Sequence, residues 1–135
     1  MPYKGECLCG GIKYEVDNIA GKMAHCYCIM CRKFHGAAYS TFAEVKIEHF
    51  RWLQGKELLK SYLATNGTTR QFCSVCGSSM TFSSSKNSAE TVEFSLGTLD
   101  SEILLSPDAH VHVASKANWT IICDNLPQYD GDRGS

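Results

Sequence analysis

Along this chain, apolar and polar residues alternate in short bursts separated by turn-forming residues. Ile12–Val16 (IKYEV), Thr41–Val45 (TFAEV), Leu58–Leu63 (LLKSYL) and Thr91–Leu96 (TVEFSL) each carry the two-residue period of a half-buried strand. His110–Val113 (HVHV) and Trp119–Cys123 (WTIIC) predict two later strands. Gly10-Gly11, Asn66-Gly67 and the polar run Ser83–Ser88 supply turn chemistry between them. Asn66-Gly67 lies between apolar runs and predicts a hairpin. A turn of helix is indicated only near Glu102–Leu105, ahead of Pro107, and helical periodicity persists nowhere. The pattern predicts a mainly β, antiparallel single domain over residues 1–128. Residues 129–135, ending in GDRGS, read as a flexible tail.

Composition narrows the class. A chain of 135 residues fits one domain, able to bury roughly two-thirds of its unfolded surface. With 44% hydrophobic residues and a net charge of −1 it reads as globular rather than disordered. There is no basic excess to neutralise phosphates, which argues against general nucleic-acid binding. No apolar run approaches the ~20 residues that span a bilayer. The opening MPYKGECLCG lacks the charged-then-apolar pattern of a secretion signal. The expectation is a cytoplasmic protein with neither a nucleic-acid nor a membrane partner; oligomeric state is not legible.

Eight cysteines change the picture most. Cys7 and Cys9 form a CxC, Cys26, Cys28 and Cys31 a CxCxxC, and Cys73 and Cys76 a CxxC, leaving Cys123 alone. Disulfides between such near neighbours are strained on most backbones, whereas metal knuckles favour the spacing. Zinc–sulfur bonds of ~2.3 Å place tetrahedral thiolates roughly 3.8 Å apart, so each pair needs a local curl. Gly10-Gly11 after Cys9 and Gly77 after Cys76 can supply it. The simplest partition joins Cys7, Cys9, Cys73 and Cys76 in one closed four-thiolate site that is structural in role. Cys26, Cys28 and Cys31 then stand one ligand short. Cys123, in its apolar run, reads as a buried inert thiol. His25 or His35 could complete a Cys3His site; otherwise the set is a metal centre with an exchangeable position, and an iron–sulfur cluster is a third option.

ECLCGGIKYEV, HCYCIMCRKFHG, FCSVCGSSM and HVHVASKANW, in that order, resemble the glutathione-dependent formaldehyde-activating enzyme (GFA) family. The same domain occurs in centromere protein V type proteins. The resemblance runs from about Tyr3 to Leu126. It implies a small zinc-stabilised domain of stacked short antiparallel sheets, of the β-tent type. It also implies two zinc ions: a structural one on Cys7, Cys9, Cys73 and Cys76, and a second on Cys26, Cys28 and Cys31, associated with glutathione and catalysis. The implied reaction condenses formaldehyde with glutathione to S-(hydroxymethyl)glutathione, formally a carbon–sulfur lyase in reverse. The alternative is a noncatalytic zinc module that binds a thiol ligand or a protein partner.

Zinc with three thiolates carries a formal charge of −1, and a fourth thiolate makes −2. That excess keeps a bound sulfur electron-rich and suits thiol activation better than hydroxide generation. Arg32 and Lys33, directly after Cys31, and His35 are the candidates for contacting an anionic thiol ligand. Arg70 and Lys116 are weaker ones. His110 and His112 share a strand face if HVHV is extended, where a neutral imidazole could shuttle a proton. Trp119 reads as core.

Overall fold

Among the described residues, 2–19, 22–86 and 89–133 of a computed structural model, ten strands build two sheets of unequal size and are joined by one α-helix. In chain order the strands are β1 (Tyr3–Glu6), β2 (Lys13–Val16), β3 (Met23–Cys26), β4 (Ser40–Lys46), β5 (Phe50–Gln54), β6 (Leu59–Leu63), β7 (Thr69–Cys73), β8 (Ser79–Ser83), β9 (Thr91–Ser95) and β10 (His110–Val111). The helix, α1 (Ile29–His35), follows β3. The smaller sheet has the order β1-β2-β5 and the larger β10-β3-β4-β9-β8-β7-β6. Every pairing is antiparallel except β10 beside β3.

Strand alternation gives the larger sheet two working faces. One face turns Ala43, Val45, Met80 and Phe94 toward Ile12, Tyr14 and Val16, forming the main core. Tyr14 stacks on Phe50 at 5.1 Å and tilts against Phe94 at 5.6 Å. Full burial of each such side chain contributes about 1.5–3 kcal/mol. The opposite face carries an in-register row across four strands: Arg70 opposite Phe82, Phe82 opposite Glu93, Glu93 opposite Glu44. A register shift between Gln71 and Phe72 marks a bulge against β8. Met80 consequently serves the main core while Phe82, two residues on, joins the opposite face.

Helix α1 covers that second face. Its start is set by Cys28, whose Sγ accepts from the Cys31 N–H at 3.3 Å. Its end is set by Gly36, left-handed at φ 61°, whose N–H donates to the Arg32 carbonyl. Phe34 meets Phe72 at 5.9 Å, fixing the helix on the sheet.

The alternating bursts at 12–16, 41–45, 58–63 and 91–96 correspond to β2, β4, β6 and β9. Asn66-Gly67 lies in the hairpin loop between β6 and β7, with Gly67 at φ 91°. Several expectations are corrected. WTIIC is not a strand: Trp119 is 66% exposed and the Cys123 thiol is exposed, neither core nor buried. HVHV is extended only at His110–Val111, because His112 turns left-handed at φ 55°, so the two histidines do not share a strand face. Glu102–Leu105 forms no helix. Ser83–Ser88 extends beyond the described residues at 87 and 88. Of the segment expected as a flexible tail, residues 129–133 are described and tied down: the Val113 N–H donates to the Tyr129 carbonyl at 3.0 Å, and Arg133 donates to the Met23 carbonyl at 2.6 Å.

Candidate metal centres and an adjoining cavity

The fold gathers the clustered cysteines into two groups, Cys7/Cys9/Cys73/Cys76 and Cys26/Cys28/Cys31, each with its sulfurs within 4.8 Å of one another. Cys7 and Cys9 sulfurs are 3.6 Å apart and Cys9 and Cys73 sulfurs 3.9 Å. These separations match thiolates around one tetrahedral ion, roughly 3.8 Å, and are far too long for a disulfide at ~2.05 Å. The donor set therefore fits a metal. The curls that achieve this come from glycine: Gly10 stands at φ 79° and Gly77 at φ 80°, one directly after each pair. Backbone N–H groups turn onto the sulfurs, Ile12 to Cys7 at 3.3 Å and Val75 to Cys73 at 3.4 Å. Such bonds stabilise thiolate. The Ser78 hydroxyl, 3.3 Å from the Cys76 sulfur, leads the contacts that lower that thiol to about 5.

The three-cysteine group forms where β3 runs into α1. Sulfur contacts with Cys26 and then Cys31 pull Cys28 far below the ordinary thiol range, while contacts with Cys28 and Cys31 push Cys26 above it. Three thiols so close share their protons unequally. A cation among them removes that repulsion. Among the described residues, no histidine or carboxylate joins this group within 4.8 Å. His25 is committed elsewhere, its Nδ1 2.8 Å from the Thr41 hydroxyl and its ring stacked on His110 at 5.1 Å. His35 packs edge-on to Phe34 and Phe82, and burial lowers its pKa.

Beside this group opens a cavity of about 450 Å³. Cys26 and Cys28 form one wall, and Arg70, Phe82 and Glu93 from the sheet row form the floor. Arg70 is buried at 4% exposure, with its guanidinium 5.3 Å from the Phe34 ring and 5.1 Å from the Phe82 ring. Its Nη2 reaches the Cys31 sulfur at 3.6 Å. Burial first, then the Glu44 and Cys31 charges, push the Glu93 carboxyl up to about 8. Glu93 therefore holds its proton near neutral pH.

The basic residues favoured by sequence lie elsewhere. Arg32 donates from Nη1 to the Ser115 carbonyl at 2.9 Å. Lys33 is exposed on the outer side of α1, and neither it, Arg32 nor His35 lines the cavity. Lys116 binds the Ala117 and Thr120 carbonyls of its own loop. His110 is fully engaged: Nε2 donates to Asp124 at 2.9 Å, and Nδ1 accepts from the Tyr27 hydroxyl at 2.9 Å. The alternation of TVEFSL puts Glu93 on the other face from Phe94, where a solvated residue is expected, yet Glu93 lines the cavity with Phe42, Phe82 and Val111 and is only partly exposed. Arg70, next but two before Cys73, carried a weak signal of its own.

A family model for the glutathione-dependent formaldehyde-activating enzyme matches residues 2–115. The chain belongs to the GFA family. Among solved structures, the chain is similar to a crystal structure of a Rhodobacter sphaeroides protein. The two share 24% identity with a TM-score of 0.63, over 75% of this chain and 91% of that one. That likeness concerns the fold, and a GFA chain with this sheet arrangement agrees with it. No curated protein matches the sequence. Among the described residues, no helix of this GFA family member is long and apolar enough to cross a membrane.

Proposed function

We propose that this chain is a cytoplasmic, zinc-dependent carbon–sulfur lyase-type enzyme that joins a thiol to a small aldehyde, glutathione and formaldehyde being the leading pair. In this reading Cys7, Cys9, Cys73 and Cys76 hold a structural zinc, and Cys26, Cys28 and Cys31 hold a second. The observation that carries it is the three-sulfur group, which no histidine or carboxylate among the described residues joins within 4.8 Å, beside a cavity large enough for a small ligand. Zinc bound there supplies a fixed positive charge that favours a substrate sulfur as thiolate at neutral pH.

The chain's own residues do the rest. Cys26, Cys28 and Cys31 fix the centre and keep its charge low, so that the incoming sulfur stays nucleophilic. Phe42 and Phe82 give the cavity an apolar part of its lining. The substrate sulfur attacks the carbonyl carbon, a carbon–sulfur bond forms, and the carbonyl π pair moves to oxygen. Glu93, protonated near neutral pH, is the cavity group suited to giving that oxygen its proton, and solvent returns one to Glu93 afterwards. The thiol proton lost on binding balances the proton gained.

X-ray absorption at the zinc edge tests the first step: adding glutathione should raise the sulfur coordination of one of two zinc ions. An unchanged spectrum would end this reading. Exchange NMR tests the second, because adduct formation should exceed the spontaneous rate and return to background in Cys28→Ser. Thiol binding without any rate gain would leave a noncatalytic thiol-binding module.

A further inference from the structure

Arg70 is a charged side chain in a place where charge is hard to keep. Long cationic side chains are almost never fully buried unless paired, and leaving a buried charge without its partner costs several kcal/mol. Arg70 is 4% exposed, yet among the described residues no carboxylate forms an ion pair with it. The in-register neighbour toward the acidic side is Phe82, which separates Arg70 from Glu93 by a full strand. Nη2 is spent on the Cys31 sulfur at 3.6 Å, whereas Nη1 is buried with no hydrogen-bond partner. The guanidinium carbon lies over the Phe34 ring at 5.3 Å and the Phe82 ring at 5.1 Å, so the group cannot swing out to water without losing both ring contacts. The residue lines the same cavity as Cys26 and Cys28.

We propose that Arg70 is an anion anchor, and that the cavity is built for thiols bearing a carboxylate. Nη2 steadies a cysteine sulfur while Nη1 awaits an acceptor supplied by the ligand. A carboxylate fits better than a neutral oxygen, because a planar fork of donors matches its geometry and its charge offsets the buried cation. This rests on the reading that the three-cysteine group receives the ligand's sulfur. Sulfur at the cysteines and anion at Arg70 fix two points of one small molecule. The sign of the effect is diagnostic: three thiolates around a divalent ion leave the centre negative, so without a local cation the site should disfavour an acid over its amide.

The test is calorimetric titration of the zinc-loaded protein with 3-mercaptopropionate and with 3-mercaptopropionamide, which differ in charge and little in shape. The wild type should bind the acid at least tenfold more tightly. In Arg70→Gln the ratio of acid to amide affinity should fall to one or below, and Arg70→Lys should retain part of the preference. Equal wild-type affinities would overturn the anchor and leave thiol capture standing. Binding of neither compound, with two zinc ions present, would remove thiol capture and the anchor together. A preference for the acid that persists in folded, zinc-loaded Arg70→Gln would place the anion site elsewhere and overturn the assignment.

Discussion

The two cysteine groups use the same atoms to different ends, and their surroundings show the difference. Around Cys7, Cys9, Cys73 and Cys76, paired loops curl on glycine, backbone N–H groups point at sulfur, and four thiols meet with nothing left over. Around Cys26, Cys28 and Cys31, a helix start replaces one loop, a buried arginine reaches one sulfur, and a cavity occupies the remaining side. A site surrounded by its own backbone is suited to holding chain segments together. A site with one side given to a cavity is suited to a ligand.

That contrast can be broken most decisively at Cys73. Under the proposed division, Cys73→Ala should abolish the folded state, since a structural zinc contributes about 10–16 kcal/mol and a domain's whole stability is about 5–15 kcal/mol. A cooperative thermal transition in Cys73→Ala protein would show that the closed set is dispensable. Cys28→Ser should behave oppositely. Serine keeps an oxygen for the helix cap that Cys28 now provides, so the protein should fold with a melting temperature within a few degrees of wild type, lose one zinc, and lose thiol binding.

A smaller effect sharpens the cavity's side of the comparison. Glu93 has a folded-state pKa of about 8 against an ordinary 4.5, so the native state holds the extra proton between those values. Its contribution is fully present below about 4.5 and is lost as pH rises through about 8. Glu93→Gln should therefore match wild-type stability near pH 5 and exceed it by about 2 kcal/mol near pH 9, after discounting for the partial exposure of the group. Denaturant melts of both proteins at the two pH values decide it. The smallest effect compares two glycines with open space around them, Gly77 behind the closed set and Gly36 ending α1. Both stand at positive φ, and alanine at either should cost about 1–2 kcal/mol. Only Gly77→Ala should also weaken zinc retention against a chelator, because Gly36 follows the helix rather than a ligand pair.

Much of this was legible in the chain because short-range chemistry wrote it. CxC and CxxC spacing with a following glycine is a local instruction, and so are the strand bursts and the Asn66-Gly67 hairpin. Helix α1 was not legible, because seven residues make too few turns for a 3.6-residue period to emerge. Nor was the choice of arginine. Arg32 and Lys33 adjoin the third cysteine in sequence, but the helix carries them away from the cavity, while Arg70 arrives from a strand of the far hairpin. An apolar run does not by itself imply burial: Trp119–Cys123 forms no strand, and Trp119 and Cys123 are exposed.

Strand β7 ties the two halves of the contrast together. Within five residues it carries Cys73 toward one group and Arg70 toward the other, on opposite faces of the sheet. It acts as a shared beam, so whatever pins one end sets the aim of the other. The order of assembly then matters: a chain that has not yet filled its four-sulfur site has a loose beam and an unaimed guanidinium.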